Sequence, residues 1–553
     1  MTARTDRADG ELSLTPAPGP ALGSPSGPDA DLITALRSLR ELGRFEDAAA
    51  LVRAADAVAP AARMSAEAHA AAGPALAAVS EYAAAGVHLL LASTDPVLAP
   101  AALGRLAELA WIEHDHPRGR AFALAGLALD PSHRVCRIQL QRNENERSIP
   151  RDSGSGERGL SHAAFFADPQ GNAGDRVLTD AVRRCFTGAP ALGAGDNPNP
   201  SWHDVHVHQL FDERRLAEVN ATDGLIVGGG GLFLPDTSPN GNSGWQWNIA
   251  DDVLARITVP LVVFAVGYNM FEGQTFEGRD DGRTSDGEQT AGSRFARSLR
   301  ALVERSTFVG LRNHGSVQRV RELLPTHLAD RVGWQPCPTA ITDLLPDAPG
   351  RTDPSGTPSA PGPVLLNCAY DRAGRRFGDG YGTFLSQLRD WVVQTRERAD
   401  IQYAAHCVDD ERFVGDLRRE YGITLPVIPM YDLAPDRIHE YYRRARLVVG
   451  MRGHAGMIPF GCGTPIISLI SHPKLGYFLA DIERPEWGIG VRDPHLAARL
   501  GELTSELLDN GPAVKADIAA IQLKLAVVTA KNLESLPAAL RPARGLGQDE
   551  ASE

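Results

Sequence analysis

Three side chains between Leu447 and Lys474 have the types and spacing that anion binding and proton transfer require. An apolar run leads into a turn with Arg452 and His454, and Lys474 follows a second apolar run. A guanidinium and an ammonium bind anions, and an imidazole can give or take a proton near neutral pH. Only four of the 56 basic residues are lysines, which indicates that a compact ammonium is wanted at this place. The alternative is that Arg452 forms a surface ion pair and His454 caps a helix.

The elements around these residues predict how they are positioned. The segment reads as a strand from Leu447, a turn, a short helix of small residues and a second strand from Pro465 to Ile470. This order predicts a β-α-β unit in a parallel sheet. Ligands bind such sheets at the carboxyl ends of the strands, where helix N-termini present their amides. We therefore expect Arg452 and His454 to lie at an anion-binding edge.

Several motifs together resemble the polysaccharide pyruvyltransferase family. The late motif of that family matches Arg452-Gly453-His454, then Gly463-Thr464-Pro465, then Lys474. The earlier matching motifs are Asn172 with Gly174 and Asp175, a glycine run with Gly229, Gly230 and Gly231, and Arg312 followed by Ser316. Asn313 is a departure, because the family often has an acidic residue there. The resemblance covers roughly residues 160–490 and implies phosphoenolpyruvate as the donor.

The resemblance also implies roles for these residues. The donor carries a carboxylate and a phosphate, so at least two cationic groups are needed, and its methylene carbon must gain a proton. The donor-binding candidates are Arg312, Arg452, Lys474, Gly229, Gly230 and Gly231. His454 is the candidate general acid and base, with Asp175 and His314 next in line. Asn172, Asp175 and Ser316 are the candidates for support.

The glycine run follows the apolar strand Leu225–Val227 directly. Consecutive glycines after a strand allow backbone amides to close on an oxyanion without interference from a Cβ atom. The run is not the GxGxxG of a dinucleotide site. We expect the backbone of residues 228–231 to hold the phosphate as it leaves.

A pair of tryptophans indicates where a sugar could bind. Trp245 and Trp247 lie beside Asn248 and other amides in the sequence. Sugars stack their apolar faces on aromatic rings while amides hydrogen-bond their hydroxyls. The three residues are therefore candidates for acceptor binding. The alternative, left open by the sequence, is that both indoles belong to the core.

The order of elements predicts an α/β protein with two Rossmann-like parallel-sheet domains that face a cleft. Two runs of alternating strands and helices are separated by a Pro/Gly/Ser linker, which resembles the glycosyltransferase-B architecture. An all-α repeat-like domain precedes them. The predicted boundaries are a disordered tail at 1–29, helical repeats at 30–150, the first half at 160–345, the linker at 346–363, the second half at 364–490, helices at 491–540 and a disordered tail at 541–553.

The helical region shows an internal repeat. Pro60, Pro96 and Pro131 are spaced 36 and 35 residues apart and follow similar motifs. Helix pairs of about this length resemble tetratricopeptide repeats, which bury their faces by stacking. The alternative is a plain helical bundle. In either case the region is expected to be an appendage that contacts a protein partner or a second subunit.

Composition narrows the class of protein. A net charge of −13 argues against nucleic-acid binding, which requires a basic face. No apolar run approaches the length of a transmembrane segment, and no signal peptide is recognisable, so we expect a cytoplasmic protein. The six cysteines are scattered singly, without the spacing of a zinc site. We expect neither a metal nor a cofactor.

These observations favour one function over two alternatives. The expected enzyme moves the pyruvyl group of phosphoenolpyruvate onto two sugar hydroxyls of a polysaccharide or of a lipid-linked glycan precursor, which leaves a cyclic ketal. The first alternative is a nucleotide-sugar glycosyltransferase of the same architecture. The second is a non-catalytic scaffold in which the helical repeats carry the function.

Overall fold

The structure of the protein is a computed structural model that describes residues 29–58, 64–145, 159–168, 170–187, 200–274, 294–346 and 362–540. Nearly all of the two predicted tails and most of the predicted linker lie outside these ranges, as does Pro60. The described residues form a helical region followed by two α/β halves.

The helical region is a run of seven helices. The repeated sequence motifs each begin at the start of the second helix of a pair, at Gly43, Glu81 and His116. The repeat in the sequence therefore corresponds to helical hairpins, whereas their identity as tetratricopeptide repeats stays a prediction. The helices are α1 (Ala30–Glu41), α2 (Phe45–Val58), α3 (Ala66–Ala77), α4 (Tyr82–Ala92), α5 (Ala99–Ile112), α6 (His116–Leu129) and α7 (Arg134–Asn145).

The first half is a six-stranded parallel sheet with the order β2-β1-β3-β4-β5-β6. Its central strands, β3 and β4, are apolar and buried along nearly their whole length, as expected for strands that are covered by helices on both faces. The elements are β1 (Leu160–Ala164), α8 (Ala173–Cys185), β2 (Trp202–His206), α9 (Glu213–Asn220), β3 (Gly224–Phe233), α10 (Asp251–Ala255), β4 (Leu261–Tyr268), α11 (Arg294–Arg305), β5 (Phe308–Leu311), α12 (His314–Glu322), α13 (Thr326–Ala329) and β6 (Val332–Trp334).

The second half is also a six-stranded parallel sheet, with the order β12-β11-β10-β7-β8-β9. The strand order reverses between β7 and β10, and in the first half it reverses between β1 and β3. The elements are β7 (Val364–Asn367), α14 (Ala373–Phe377), α15 (Tyr381–Thr395), β8 (Ile401–Ala405), α16 (Glu411–Tyr421), β9 (Val427–Pro429), α17 (Pro435–Arg444), β10 (Leu447–Gly450), α18 (His454–Gly461), β11 (Ile466–Ile470), α19 (Pro473–Asp481) and β12 (Gly488–Gly490).

Two C-terminal helices complete the fold, α20 (Leu496–Asp509) and α21 (Gly511–Glu534). The end of α21 leaves the second half and lies against the first. There Asn532 Nδ2 donates to the carbonyl of Trp334 at 2.8 Å, and Thr529 Oγ1 accepts from Gln335 Nε2 at 3.2 Å. This helix therefore ties the two halves together.

The helical region is docked firmly on the first half. Asn248 Nδ2 donates to the Tyr82 hydroxyl at 2.7 Å, and Leu210 N donates to the carbonyl of Ile112 at 2.9 Å. At Gly241 the approach is so close that a Cβ atom would lie 1.9 Å from the Val79 carbonyl oxygen. The region is thus an integral part of the α/β body and not the appendage that the sequence suggested.

The architecture confirms the predicted fold class of two Rossmann-like sheets preceded by an all-helical region. The two halves are arranged as in the glycosyltransferase-B fold, with a cleft between the carboxyl ends of their strands. Among the helices described, none combines the length and apolarity that a membrane crossing requires.

Candidate active site

A cavity of about 300 Å³ lies where the two strand-order reversals face each other. Both halves contribute, as the general rule for open parallel sheets predicts. The first half supplies Asn172, Asp175, Gly229, Gly230, Gly231, Asn269 and Arg312 to its lining. The second half supplies Asp371, Arg372, Arg376, Arg452, His454, His472 and Lys474.

Arg452 follows β10 and is held by carboxylates of its own half. Its Nε and Nη2 donate to Asp410 at 2.8 and 2.6 Å, and Nη2 also lies 2.7 Å from Asp371 Oδ1. Burial works to lower the pKa of the guanidinium, but Asp410 and Asp371 outweigh it and raise this pKa well above its usual value. Most of its donors are therefore committed, and only Nη1 has no partner among the described residues.

His454 is the first residue of α18 and packs against the first half. Its Nδ1 lies 3.9 Å from Asp175 Oδ1, and its buried Nε2 has no hydrogen-bond partner in the described part of the chain. A Cβ atom at Gly174 would lie 2.5 Å from the Cβ of His454, so glycine is required for this approach. Burial and the charges of Arg312 and Lys474 lower the pKa of the imidazole well below its usual value.

Asp175 lies in the first turn of α8, beside His454. Burial raises the pKa of its carboxyl above the usual value, although Lys474 and Arg312 act in the opposite direction. A neutral imidazole thus stands beside a carboxyl that holds a proton more readily than usual. Such a pair can exchange a proton with a bound ligand.

Arg312 follows β5 and enters the cavity from the first half. Its Nη2 donates to Asn269 Oδ1 at 2.6 Å, its buried Nε has no hydrogen-bond partner, and no carboxylate among the described residues pairs with it. A Cβ atom at Gly267 would lie 2.3 Å from Nε, so a glycine makes room for the guanidinium. Burial lowers the pKa of Arg312 from its usual value.

Lys474 lies in the first turn of α19. Its backbone amide donates to His472 Nδ1 at 3.2 Å, but its ammonium makes no hydrogen bond or ion pair with the residues that the structure describes. Burial and the nearby charges of Arg312 and Arg376 lower the pKa of Lys474 to about 7. An anion bound in the cavity would reverse this effect.

The glycine run lines the cavity, and the strand predicted at Leu225–Val227 extends through it. β3 continues through residues 228–231 to Phe233, and Gly230 still pairs with Val266 of β4. A Cβ atom at Gly231 would lie 2.0 Å from Asn269 Nδ2. The glycines therefore let a strand pass close to the side chains of its neighbour, and Gly229, Gly230 and Gly231 expose backbone to the cavity.

Two of the supporting candidates, Asn172 and Ser316, have clear structural roles, and so does Asn313. Asn172 is the N-cap of α8 and accepts from Gly174 N at 2.9 Å. Asn313, which stands where the family often has an acid, caps α12 by accepting from Ser316 N at 2.7 Å. Ser316 Oγ in turn accepts from Tyr268 N at 2.9 Å. Ser316 thus joins the start of α12 to the end of β4 and does not line the cavity.

The prediction that Trp245 and Trp247 stack on a sugar is wrong. Their exposed fractions are 1% and 0%, and their rings pack edge to face against Phe233 and Phe211. Both belong to the core of the first half, where a sugar has no access. Asn248 is also buried, and it lines a different cavity beside the helical region.

His314 lies away from the cavity. Its ring is largely exposed, its Nδ1 contacts Asp481 Oδ1 at 2.9 Å, and it packs on Trp334. It links α12 of the first half to α19 of the second. It is therefore poorly placed to protonate a ligand in the cavity.

The sequence profile of the polysaccharide pyruvyl transferase family matches residues 172–473, more than half of the chain. The chain belongs to this family. The match begins at Asn172 and ends one residue before Lys474, so it spans both sides of the cavity. No curated protein shows significant similarity to the chain.

The solved structures to which the chain is similar include a transferase and an epimerase. A mutant O-GlcNAc transferase of Thermobaculum terrenum is 14% identical, covers 92% of this chain and 97% of its own, and has a TM-score of 0.39. The UDP-GlcNAc 2-epimerase of Neisseria meningitidis, bound to UDP-GlcNAc, is 9% identical, covers 68% and 99%, and has a TM-score of 0.37. Likeness at this level bears on neither substrate nor mechanism.

Several cavity residues of this pyruvyl transferase family member were not found from its sequence. Asp371 and Asp410 follow β7 and β8 and hold Arg452, while Arg376 donates to Asp371 and to Ser471. Asp371 and Asp410 come several residues after their strands, so the sequence gives no direct signal for them. Asn269 could have been found, because it directly follows β4 and a polar residue directly after a buried strand marks the ligand-binding edge.

Proposed function

We propose that the protein transfers the pyruvyl group of phosphoenolpyruvate to two hydroxyls of a sugar in a glycan. The observation that carries this proposal is a pair of cations, Arg312 and Lys474, that form no ion pair with the described residues and face one cavity beside His454, with Asp175 nearby. Phosphoenolpyruvate carries two anionic groups, and two cations without carboxylate partners suit it. Family membership supports a transferase that modifies polysaccharides.

We assign a role to each cation in the cavity according to the groups with which it is already paired. Arg312 and Lys474 bind the donor's carboxylate and phosphate, since their own pairing is unsatisfied. Arg452 changes role from the sequence prediction, because Asp410 and Asp371 occupy most of its donors. It positions the turn before His454 and offers at most Nη1 to the donor. Backbone groups of Gly229, Gly230 and Gly231 line the space left for the phosphate.

The reaction requires one proton to be added to carbon and two to be removed from hydroxyls. The donor's methylene carbon gains a proton, and the oxygen of the first hydroxyl bonds to the adjacent carbon and loses its proton. The second hydroxyl forms the other carbon–oxygen bond, while the bond to phosphate breaks and phosphate leaves with the electron pair. The second hydroxyl proton leaves with phosphate or passes to solvent.

His454 and Asp175 are the groups placed to move these protons. His454 is neutral in the empty site, because burial and the neighbouring cations disfavour its charged form. A bound anionic donor offsets those cations and favours the imidazolium, which can then protonate carbon. The same imidazole, once neutral, accepts the hydroxyl proton.

The deciding experiment is to incubate the purified protein with phosphoenolpyruvate and a panel of glycans. Release of phosphate and formation of a ketal-modified glycan are expected, and both depend on the acceptor. The parallel arm replaces phosphoenolpyruvate with nucleotide sugars. If only that arm turns over and releases a nucleotide, the protein is a glycosyltransferase and the proposal is wrong.

A further inference from the structure

A second cavity, of about 350 Å³, lies between the helical region and the first half. It is the size of a small-molecule site. The helical region supplies Arg40, Tyr82, Arg105 and Trp111, and the first half supplies Asn248 and residues of the loop 236–240. The hydrogen bond between Asn248 and Tyr82 fixes its two walls together.

The charges of this cavity leave one cation uncompensated. Arg105 pairs with Glu108, and Arg142 pairs with Asp168 at 2.7 Å. Arg40 has no carboxylate partner within the described ranges, and its buried Nε has no hydrogen-bond partner there. Burial and the nearby Arg105 lower the pKa of Arg40. A guanidinium without a carboxylate partner in a partly buried site favours the binding of an anion.

The loop at residues 234–240 is a wall of both cavities. Leu234 and Thr237 line the first cavity, whereas Asp236 and Ser238 line the second. Arg372 of the second half holds this loop, with its Nη2 at 2.8 Å from Asp236 Oδ1 and a hydrogen bond to Thr237. A single loop thus separates the place where we put the donor from a polar, cationic chamber.

We propose that the second cavity binds an anionic group of the glycan acceptor, a carboxylate or a phosphate, through Arg40. Tyr82, Trp111 and Asn248 form buried parts of its walls, and the hydrogen bonds of Asn248 with Tyr82 and Asn242 hold those walls in place. The helical region is then part of acceptor recognition. The acceptor role rests on the proposed function, whereas binding of the anion itself does not.

The test uses the full chain and three probes: glucose, glucuronate and glucose 1-phosphate. Binding is followed by calorimetry or by saturation-transfer NMR. At least one charged probe is expected to bind about tenfold more tightly than glucose, the scale of one charge-assisted hydrogen-bonded contact. A preference for glucuronate indicates an acidic sugar of the glycan, and a preference for glucose 1-phosphate indicates a phosphate-linked carrier.

Binding measurements on variants show in which of the two cavities the anion binds. Arg40→Gln should remove the tighter binding of the charged probe relative to glucose, and Arg40→Lys should keep part of it. The control is Arg118→Gln, at an exposed arginine that lines neither cavity, and it should leave the binding unchanged. Arg40→Gln is expected to melt no lower than the parent, because it removes an uncompensated charge. Binding persists in Lys474→Met and in the presence of phosphoenolpyruvate.

The proposal is overturned if neither charged probe binds better than glucose, or if Arg40→Gln binds them as the parent does. It is also overturned if Lys474→Met or phosphoenolpyruvate abolishes their binding, since the anion then lies in the first cavity. None of these measurements requires turnover. A failure here is therefore distinct from a failure to form a ketal.

Discussion

The cations at the edges of the two sheets that face the first cavity differ in whether they are paired with carboxylates. At the edge of the second sheet, Arg452 and Arg376 are paired with Asp410 and Asp371. At the edge of the first sheet, Arg312 donates to the neutral Asn269 and forms no ion pair with the residues that the structure describes. Lys474 belongs to the second half but resembles Arg312, because its ammonium is likewise unpaired in the described structure.

This difference indicates two roles. The paired cations maintain the structure of the site, and the unpaired cations are available to bind a ligand. A buried pair satisfies its own charges, so it fixes local geometry whether or not the donor is present. A buried cation without a partner is unfavourable in the empty protein and becomes favourable when an anion arrives. Cations held in position before binding are what electrostatic stabilisation of a reacting anion requires.

The largest effect is expected at His454, which lies between the two edges. His454→Ala should lower kcat by about 10²–10⁴-fold, the usual range for a lost general acid or base. The donor Kd should change little, because Arg312 and Lys474 remain. Steady-state kinetics and calorimetry with phosphoenolpyruvate measure the two quantities separately.

His454→Gln distinguishes proton transfer from positioning. Glutamine keeps a hydrogen bond but cannot protonate carbon, so it should be nearly as inactive as alanine. If it restores most of the rate, His454 is a positioning residue. The acid is then sought at Asp175, whose pKa is raised by burial.

The ion pairs at the edge of the second sheet are tested by Arg452→Gln. This change leaves the Asp410 carboxylate, whose side chain is 0% exposed, without its cation. Breaking a buried pair in this way should lower the free energy of unfolding by about 3–5 kcal/mol. Denaturant unfolding measures it, and Arg437→Gln, which removes an exposed pair with Glu440, should change it by less than about 1 kcal/mol. An equally small effect at Arg452 would show that the pairing is not structural.

The unpaired cations are tested by Lys474→Met, which should have the opposite effect on stability. Donor affinity should fall by about ten- to a hundredfold, because a charge-assisted contact is lost. The empty protein should melt at a higher temperature. The pKa of Lys474 is lowered to about 7 from 10.5, so the unfavourable, partly buried charge is fully present below pH 7 and is relieved as pH rises towards 10.5. The gain should therefore be larger at pH 6 than at pH 10, and a lower melting temperature at pH 6 would contradict the comparison.

The sequence was informative where the signal is local. Apolar runs such as Leu447–Val449 and Leu225–Val227 predicted the strands, and their alternation with helices predicted parallel sheets. It was uninformative where the partner is distant. Arg452 is paired with Asp410, 42 residues earlier in the chain, and no local pattern connects them. Trp245 and Trp247 looked equally suited to a sugar and to a core, since burial depends on how helices and loops cover them.

The smallest expected effect is proton uptake on donor binding. In the empty site Lys474, with a pKa of about 7, is mostly neutral at pH 8. A bound anion favours the ammonium and raises this pKa, so binding at pH 8 should take up about one proton per donor. Calorimetry in two buffers with different ionisation enthalpies measures this number. Because protons are taken up, donor affinity should also weaken as pH rises from 7 to 10.

The same titration of Lys474→Met shows which residue takes up the proton. Uptake at pH 8 should fall markedly, since the ammonium whose pKa the bound donor raises is no longer present. Arg437→Gln should match the parent. If Lys474→Met still takes up a proton, the proton resides on the pair of His454 and Asp175. The unpaired ammonium of Lys474 would then not be the group that favours donor binding.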